Sequence, residues 1–250
     1  MIQFNNLHKR FGERKILKGI DLNIVKGKTT VILGVSGGGK STIVKHIVGL
    51  LKPEEGGILV DGKQIVGCSE KDMRAIRKEV GFLFQSGALF DSMNVFENVA
   101  FPLREHTKMS EAEIHENVFS KLSMVGLIPD DIATLFPDEL SGGMRKRVGL
   151  ARTIVLEPKI ILYDEPTSGL DPVTSDHITQ MIIKLQDKLG VTSVLISHDL
   201  NESFKAGDYF AMLFDGKIVA YGDEEEIKSS DHPAVQQFLH GESEGPIQFA

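Results

Sequence analysis

The sequence predicts an α/β fold built round a parallel sheet, and three observations carry that reading. The apolar run Val31-Ile32-Leu33 leads into Gly34-Val35-Ser36-Gly37-Gly38-Gly39-Lys40-Ser41-Thr42, which fits the pattern G-x-x-x-x-G-K-[ST], and Ser41 to Leu50 then has the character of a helix. A second apolar run, Ile160-Ile161-Leu162-Tyr163, delivers the adjacent carboxylates Asp164 and Glu165. A third, Val191 to Ser197, follows after a helical stretch, and strand, helix, strand implies parallel neighbours.

Taken in order, the opening of the chain is β-rich. Short strands are expected at Ile2 to Leu7, Leu22 to Val25, Val31 to Leu33 and Ile58 to Val60, the last before the turn pair Asp61-Gly62. Asp72 to Lys78 reads as a short polar helix and Val80 to Phe84 as a strand closing at Gln85. From Ser110 the period changes: Ile114, Val118, Lys121, Leu122 and Val125 form a helical stripe behind a Ser110 cap with Glu113 three residues on. Met144, Val148, Ala151 and Val155 mark another helix behind Leu140-Ser141-Gly142-Gly143. Asp171 caps a helix with Pro172 at its first position and Ile178, Met181, Ile182, Leu185 and Leu189 on its apolar face. Tyr209 to Phe214 and Lys217 to Tyr221 make a hairpin about Asp215-Gly216. After Asp223 the pattern fades, leaving a short helix candidate around Val235 to Leu239 and a polar spacer from Gly241 to Gly245.

Composition bounds the function. With 250 residues, 41% of them hydrophobic, there is enough apolar material for one large core or two joined ones. A formal net charge of -7 argues against a broad nucleic-acid surface, which needs clustered Lys and Arg, so no nucleic-acid partner is expected. Cys68, the single cysteine, rules out an internal disulfide and a cysteine-based zinc site, in keeping with a reducing compartment. No apolar stretch approaches the roughly 20 residues that span a bilayer, so the chain itself is expected to stay out of the membrane.

The residues at the two strand ends carry chemistry. Glycines 34, 37, 38 and 39 let backbone N–H groups converge on a phosphate at a helix N-terminus, while Lys40 supplies a point charge near the β- and γ-phosphates and Ser41 a hydroxyl for Mg²⁺. Asp164 is placed to hold the same Mg²⁺, directly or through water, and Glu165 to polarise the attacking water. Ser141, Gly142 and Gly143 cap a second helix whose free N–H groups form another anion site. One nucleotide does not need both sites on one molecule. Two chains packed head to tail, each pairing its first loop with the other's second, is the simple inference.

These motifs together resemble the ATP-binding cassette ATPase family from about Ile2 to Gly222. GVSGGGKST corresponds to its Walker A loop, LFQS with Gln85 to its Q-loop, LSGGM to its signature loop, ILYDE to its Walker B strand, Ser168-Gly169-Leu170-Asp171 to its D-loop and ISHD with His198 to its switch histidine. The resemblance implies a P-loop NTPase (RecA-like) core with an N-terminal antiparallel β-subdomain and an inserted α-helical subdomain. The implied divisions are 1–86 and 157–222 for the core with the β-subdomain, 87–156 for the helical subdomain with the signature loop, and 223–250 for a C-terminal extension. It further implies that Phe11 stacks on adenine, that Gln85 touches Mg²⁺ and the attacking water, that residues 34 to 42 and Asp164 bind ATP, and that Glu165 and His198 are catalytic. Ser141, Gly142, Gly143 and Asp171 are implied to act on the partner's ATP. Two departures stand out: Met144, where many members carry Gln, is expected to change packing, and the small Gly38 to loosen the loop slightly.

The segment from Gln85 to Phe96 is where the family meets its transmembrane permease. Leu89, Phe90 and Phe96 are expected to offer a groove for a short partner helix, with burial the alternative for Phe96. This segment, PDELSGGMRKRVGLAR and the tail FLHGESEGPI are similar to the ATPase of bacterial Mla-type phospholipid transporters. That resemblance implies two ATPase copies on the cytoplasmic face of the inner membrane, a permease, a lipid-binding MCE-domain protein and, in some systems, a STAS-domain regulator. The rival cargoes are an amino acid, a metal chelate or a drug, and the more distant alternative is a soluble cassette ATPase. The end Pro246-Ile247-Gln248-Phe249 is expected to reach a second ATPase or a regulator, a frayed terminus being the plain alternative.

Overall fold

The computed structural model describes residues 2–248. Along the chain, β1 (Ile2–Phe11) and β2 (Arg14–Ile24) form a hairpin, followed by β3 (Thr29–Leu33), α1 (Lys40–Ile47), β4 (Glu55–Val60), β5 (Lys63–Gln64), α2 (Glu70–Glu79) and β6 (Val80–Leu83). A helical stretch comes next: α3 (Val95–His106), α4 (Glu111–Met124), α5 (Pro129–Ile132) and α6 (Gly142–Ile154). The chain then alternates through β7 (Ile160–Asp164), α7 (Pro172–Leu189), β8 (Thr192–Ile196), α8 (Leu200–Ala206), β9 (Tyr209–Phe214) and β10 (Lys217–Gly222), and closes with α9 (Glu224–Lys228) and α10 (Pro233–His240).

Two sheets result. The smaller has the order β2-β1-β4-β5 and antiparallel pairing, and the larger has the order β10-β9-β3-β8-β7-β6. In the larger, β3, β6, β7, β8 and β9 run parallel and β10 returns antiparallel through the Asp215-Gly216 turn, whose φ values of 45° and 74° suit a tight hairpin.

Alternation along the parallel strands sorts two cores. Val31, Leu33, Ile161, Tyr163 and Leu195 point toward α3, α4, α6 and α7, while Ile32, Ile160, Leu162, Val194 and Ile196 face α1, α2 and the smaller sheet. A parallel sheet covered on both faces must read as continuous apolar runs, as these strands do.

Several elements differ from their expected bounds. β1 and β2 are longer than the short strands expected, and α1 ends at Ile47 rather than Leu50. Register shifts between Phe4 and Leu7, and again before Arg10, break the alternation that marks a strand. Helix α3 was not expected; an Asn94–Glu97 capping box starts it, and Pro102 lies within it. Leu89 is half-buried against the core, contrary to the exposed groove residue expected; Phe96 is half-buried too, in line with the alternative given for it, and Phe90 is exposed. Met144 also packs half-buried against the core. The tail is neither extended nor frayed up to Gln248: Ile247 is buried against its own chain, and Phe249 lies outside the described residues. No helix among the described residues is long and apolar enough to cross a membrane.

Candidate functional site

The loop from Gly34 to Thr42 joins the buried end of β3 to the start of α1. Gly34, at φ +145°, lies where a Cβ would come within 2.5 Å of Leu213 O, so the strand can leave the sheet here only as glycine. Gly39 occupies the N-cap of α1 in the left-handed region and offers no side chain to the helix. The first-turn N–H groups of α1 are therefore not capped by that residue, the condition for receiving an anion. Ser36 and Gly37 are exposed, and Val35, Gly38, Ser41 and Thr42 half-buried. A Cβ on Gly38 would meet Val35 O at 3.0 Å, so glycine suits the tight turn closed by Gly38 N donating to Val35 O at 3.1 Å.

Charge is concentrated behind this loop. Lys40 is 4% exposed, and its Nζ donates to Gly34 O at 2.7 Å and Val35 O at 2.9 Å. Burial pulls its pKa down, against the pull of Glu165 and Asp164. Ser41 Oγ donates to Asp164 Oδ1 at 2.7 Å, and burial raises the Asp164 pKa although that hydrogen bond opposes it. A buried carboxylate beside a hydroxyl is a hard oxygen pair that fits Mg²⁺, which takes one or two protein ligands and completes its shell with phosphate and water.

Glu165 follows directly, with φ of 50°, a left-handed backbone that a non-glycine residue adopts only when its surroundings enforce it. Its N–H donates to Ile196 O at 3.0 Å and its carbonyl accepts from Lys146, which turns the side chain out of the strand. Glu165 Oε2 accepts from Gln85 Nε2 at 3.1 Å and lies 3.5 Å from His198 Nδ1. Gln85 Nε2 also donates to Ser168 Oγ at 3.1 Å, so Gln85 and His198 meet at the Glu165 carboxylate and Gln85 links that carboxylate to Ser168. A cleft of about 540 Å³ lined by Gln85, Asp164, Ser168 and Gly142 opens beside them.

Other expected residues stand apart. Phe11 ends β1 and is 50% exposed, so its ring is not part of the core, and Lys9 Nζ lies 5.4 Å from its ring centre. Ser141 caps α6 by accepting from Met144 N at 3.3 Å, and among the described residues no hydrogen bond joins the Ser141 loop to residues 34–42. Gly142 abuts Leu170, and Gly143 abuts Thr174, which fixes the Ser141 loop to the start of α7. Asp171 spends its carboxylate on capping α7: it accepts from Val173 N, Thr174 N and, at 2.6 Å, Thr174 Oγ1, bonds that lower its pKa.

The reading of the sequence passed over Lys146. It is 5% exposed on α6 and donates to the carbonyls of both Gln85 and Glu165. Burial lowers its pKa, with Glu165 and Asp164 acting against that. Its signal was a lysine two residues from each of Met144 and Val148 on a helix otherwise read only for its apolar stripe.

Comparison with known proteins follows the same lines. The family model described as ABC transporter matches residues 17–168. The protein named "Probable ribonucleotide transport ATP-binding protein mkl" of Mycobacterium tuberculosis is 48% identical over 246 residues, 98% of this chain and 68% of that one. The intermembrane phospholipid transport system ATP-binding protein MlaF of Haemophilus influenzae is 45% identical over 249 residues, 100% of this chain and 94% of that one. Among solved structures, the dimeric post-hydrolysis state of the ATP-binding cassette MJ0796 bound to ADP and Pi superposes with a TM-score of 0.82 at 34% identity, covering 89% of this chain and 98% of that one.

Proposed function

The chain belongs to the ABC transporter family and hydrolyses ATP, and from that premise we propose that it powers phospholipid movement between bacterial membranes. The observation that carries the cargo is the 45% identity to a phospholipid-transport ATPase running the length of both chains. A second reading, ribonucleotide as cargo, draws on the 48% relative, whose length this chain spans only to 68%. The subunit would sit on the cytoplasmic face of the inner membrane as a homodimer, bound to a permease through the Gln85 to Phe96 region and accompanied by an MCE-domain lipid-binding protein. A STAS-domain regulator accompanies some such systems.

In the proposed site, Lys40 and the N–H groups of residues 36–42 take the β- and γ-phosphates of ATP, and Phe11 stacks on the base. Ser41 and Asp164 would hold Mg²⁺, assisted by Gln85, and the ion would neutralise charge on the phosphate oxygens. Glu165, turned out of β7 and held by Gln85, accepts a proton as water attacks the γ-phosphorus and the bond to the β-phosphate oxygen breaks, leaving ADP and phosphate. His198 faces the γ-phosphate from the exposed side. The partner's Ser141 with its two glycines and Asp171 close the site from across the dimer, and hydrolysis splits the charge that holds the halves together. The geometry that supports this is the meeting of Gln85 and His198 on Glu165, next in the chain to the Asp164 that accepts from Ser41.

The test is purification of the membrane complex through a tag on this chain, followed by identification of its protein partners and bound small molecules. An MCE-domain protein with copurifying glycerophospholipid supports the reading. A periplasmic amino-acid-binding protein, or nucleotide transport by the reconstituted complex, overturns it.

A further inference from the structure

The last described residues are fastened to the body of the chain beside the phosphate loop. Gln237, buried on α10, spends its amide on this segment: Oε1 accepts from Ile247 N at 2.7 Å, and Nε2 donates to Ile247 O at 3.1 Å and to Glu242 O at 3.2 Å. Gly245, at φ +151°, lies where a Cβ would come within 2.5 Å of the Gln237 side chain, so the approach requires glycine. The Ile247 side chain is 6% exposed and joins the same apolar core as Val31 and Phe210. A segment built with a paired amide, a required glycine and a buried anchor has a position to keep.

That position makes a wall. Phe238, Ser243 and Ile247 line one side of a cavity of about 410 Å³, and Val35, Ser36 and His198 line another. The cavity therefore borders the phosphate loop on the His198 side, where Val35, Phe238 and Ile247 supply apolar surface.

The chain also carries an apolar side chain that needs such a place. Val173 is 72% exposed, more than any other large exposed hydrophobic among the described residues. It sits at the second position of α7, next to Thr174, which abuts Gly143, and three residues after Leu170, which abuts Gly142. Val173 and the Ser141 loop thus belong to one rigid corner. In a head-to-tail dimer that corner lies over the partner's residues 34–42, and Val173 then arrives at the surface bordering them.

We infer that Val173 of each copy seats in the cavity between the phosphate loop and the C-terminal segment of the other, so that residues 241–247 are part of the dimer interface. This rests on the head-to-tail pairing proposed above. The occupant is a second copy of this chain because cavity and side chain adjoin the two halves of one composite site. Seating covers an exposed valine and closes the cavity that His198 lines.

The test uses the full chain with Cys68→Ser and Glu165→Gln. Val173→Cys and Ser243→Cys are introduced singly and together, and the protein is treated with a short bismaleimide with and without MgATP. A covalent dimer is expected only with both cysteines and only with MgATP. Light scattering on the same samples separates the outcomes: an MgATP-dependent dimer without covalent capture overturns the seating of Val173 and leaves the pairing intact, while no dimer at all overturns both. In a second measurement, Val173→Asp is expected to raise the dimer dissociation constant under MgATP by about tenfold or more and Val173→Leu by less than about threefold. A Val173→Asp chain that dimerises as tightly as its parent also overturns the inference.

Discussion

Lys146 on α6 donates its ammonium to the main-chain carbonyl of Glu165 at 3.2 Å, and through a second bond to Gln85 O it ties the helix behind the Ser141 loop to the proposed general base. The cation is buried, so both carbonyls would lose a charge-assisted partner if it were removed. Lys146→Met keeps the stem and removes those bonds. Turnover is expected to fall about tenfold to a hundredfold with the KM for MgATP changed less than about threefold, because Lys146 touches the base's backbone and not the nucleotide. Steady-state kinetics checks this, and a change confined to KM would count against a positioning role.

Glu165→Gln keeps the side chain's shape and its hydrogen bond with Gln85 while removing the proton acceptor. ATP turnover is expected to drop by about 10² to 10⁴. Light scattering should show a stable dimer with MgATP and a monomer with MgADP. A variant that turns over rapidly would remove Glu165 from the role of base.

Lys40→Ala removes an ammonium that donates to Gly34 O and Val35 O and lies behind the phosphate loop. The loss of charge-assisted bonds to phosphate is expected to weaken ATP binding about 10- to 100-fold in calorimetry. Unaltered affinity would refute the role.

Asp164 supplies a pH prediction. Burial holds its carboxyl above the ordinary value, with the Ser41 hydroxyl pulling partly back. The folded chain then binds this proton more tightly than the unfolded chain does, so its contribution to stability is largest in acid. That contribution is lost as pH rises from the unfolded value through the raised folded one. Without Mg²⁺ and nucleotide, Asp164→Asn should melt about 2–4 °C higher near neutral pH, because the buried charge is gone. The same variant should lose Mg²⁺-dependent turnover by about a hundredfold or more. A lower melting temperature would mean that the carboxylate stabilises the free chain.

Much of this site was legible because it sits where glycine and charge have few other uses. The 34–42 loop needs glycine at a strand exit facing Leu213 O, and Asp164 and Glu165 end a run of residues with no other charge. The parallel strands were equally plain, being apolar on both faces. What escaped depends on contacts distant in sequence. Lys146 draws its meaning from carbonyls 61 and 19 residues away, and a lysine between Arg145 and Arg147 looks like part of a solvated face. Helix α3 carried a readable Asn94–Glu97 cap, but Pro102 and the continuous apolar run obscured its period. The far ends of β1 and β2 were hidden by register shifts that break alternation while the hairpin pairing continues. The tail's docking hangs on Gln237, whose partners lie at Glu242, inside the glycine-bounded spacer, and at Ile247, just beyond it.

Asn98 gives the last prediction, because it shapes the surface proposed to meet the permease. It is fully buried on α3, and its Nδ2 donates to Phe90 O, Met93 O and Asn94 O at 3.1, 2.9 and 3.0 Å. Its Oδ1 accepts from Phe90 N at 2.8 Å. One side chain thus holds the loop that presents Phe90, whose ring also packs edge-on against Phe101 and under the Arg152 guanidinium. Asn98→Ala removes the partner of Phe90 N and of Met93 O, at a cost of about 2–4 kcal/mol. The loop can recover hydrogen bonds only by opening to water. An opened loop lowers the fraction of molecules ready to bind a partner helix, and apparent affinity falls with that fraction. Copurification of the permease should therefore drop about tenfold or more, while the ATPase activity of the free subunit stays within about threefold of the parent. Parental yields of complex would show that the Phe90 loop does not form the contact.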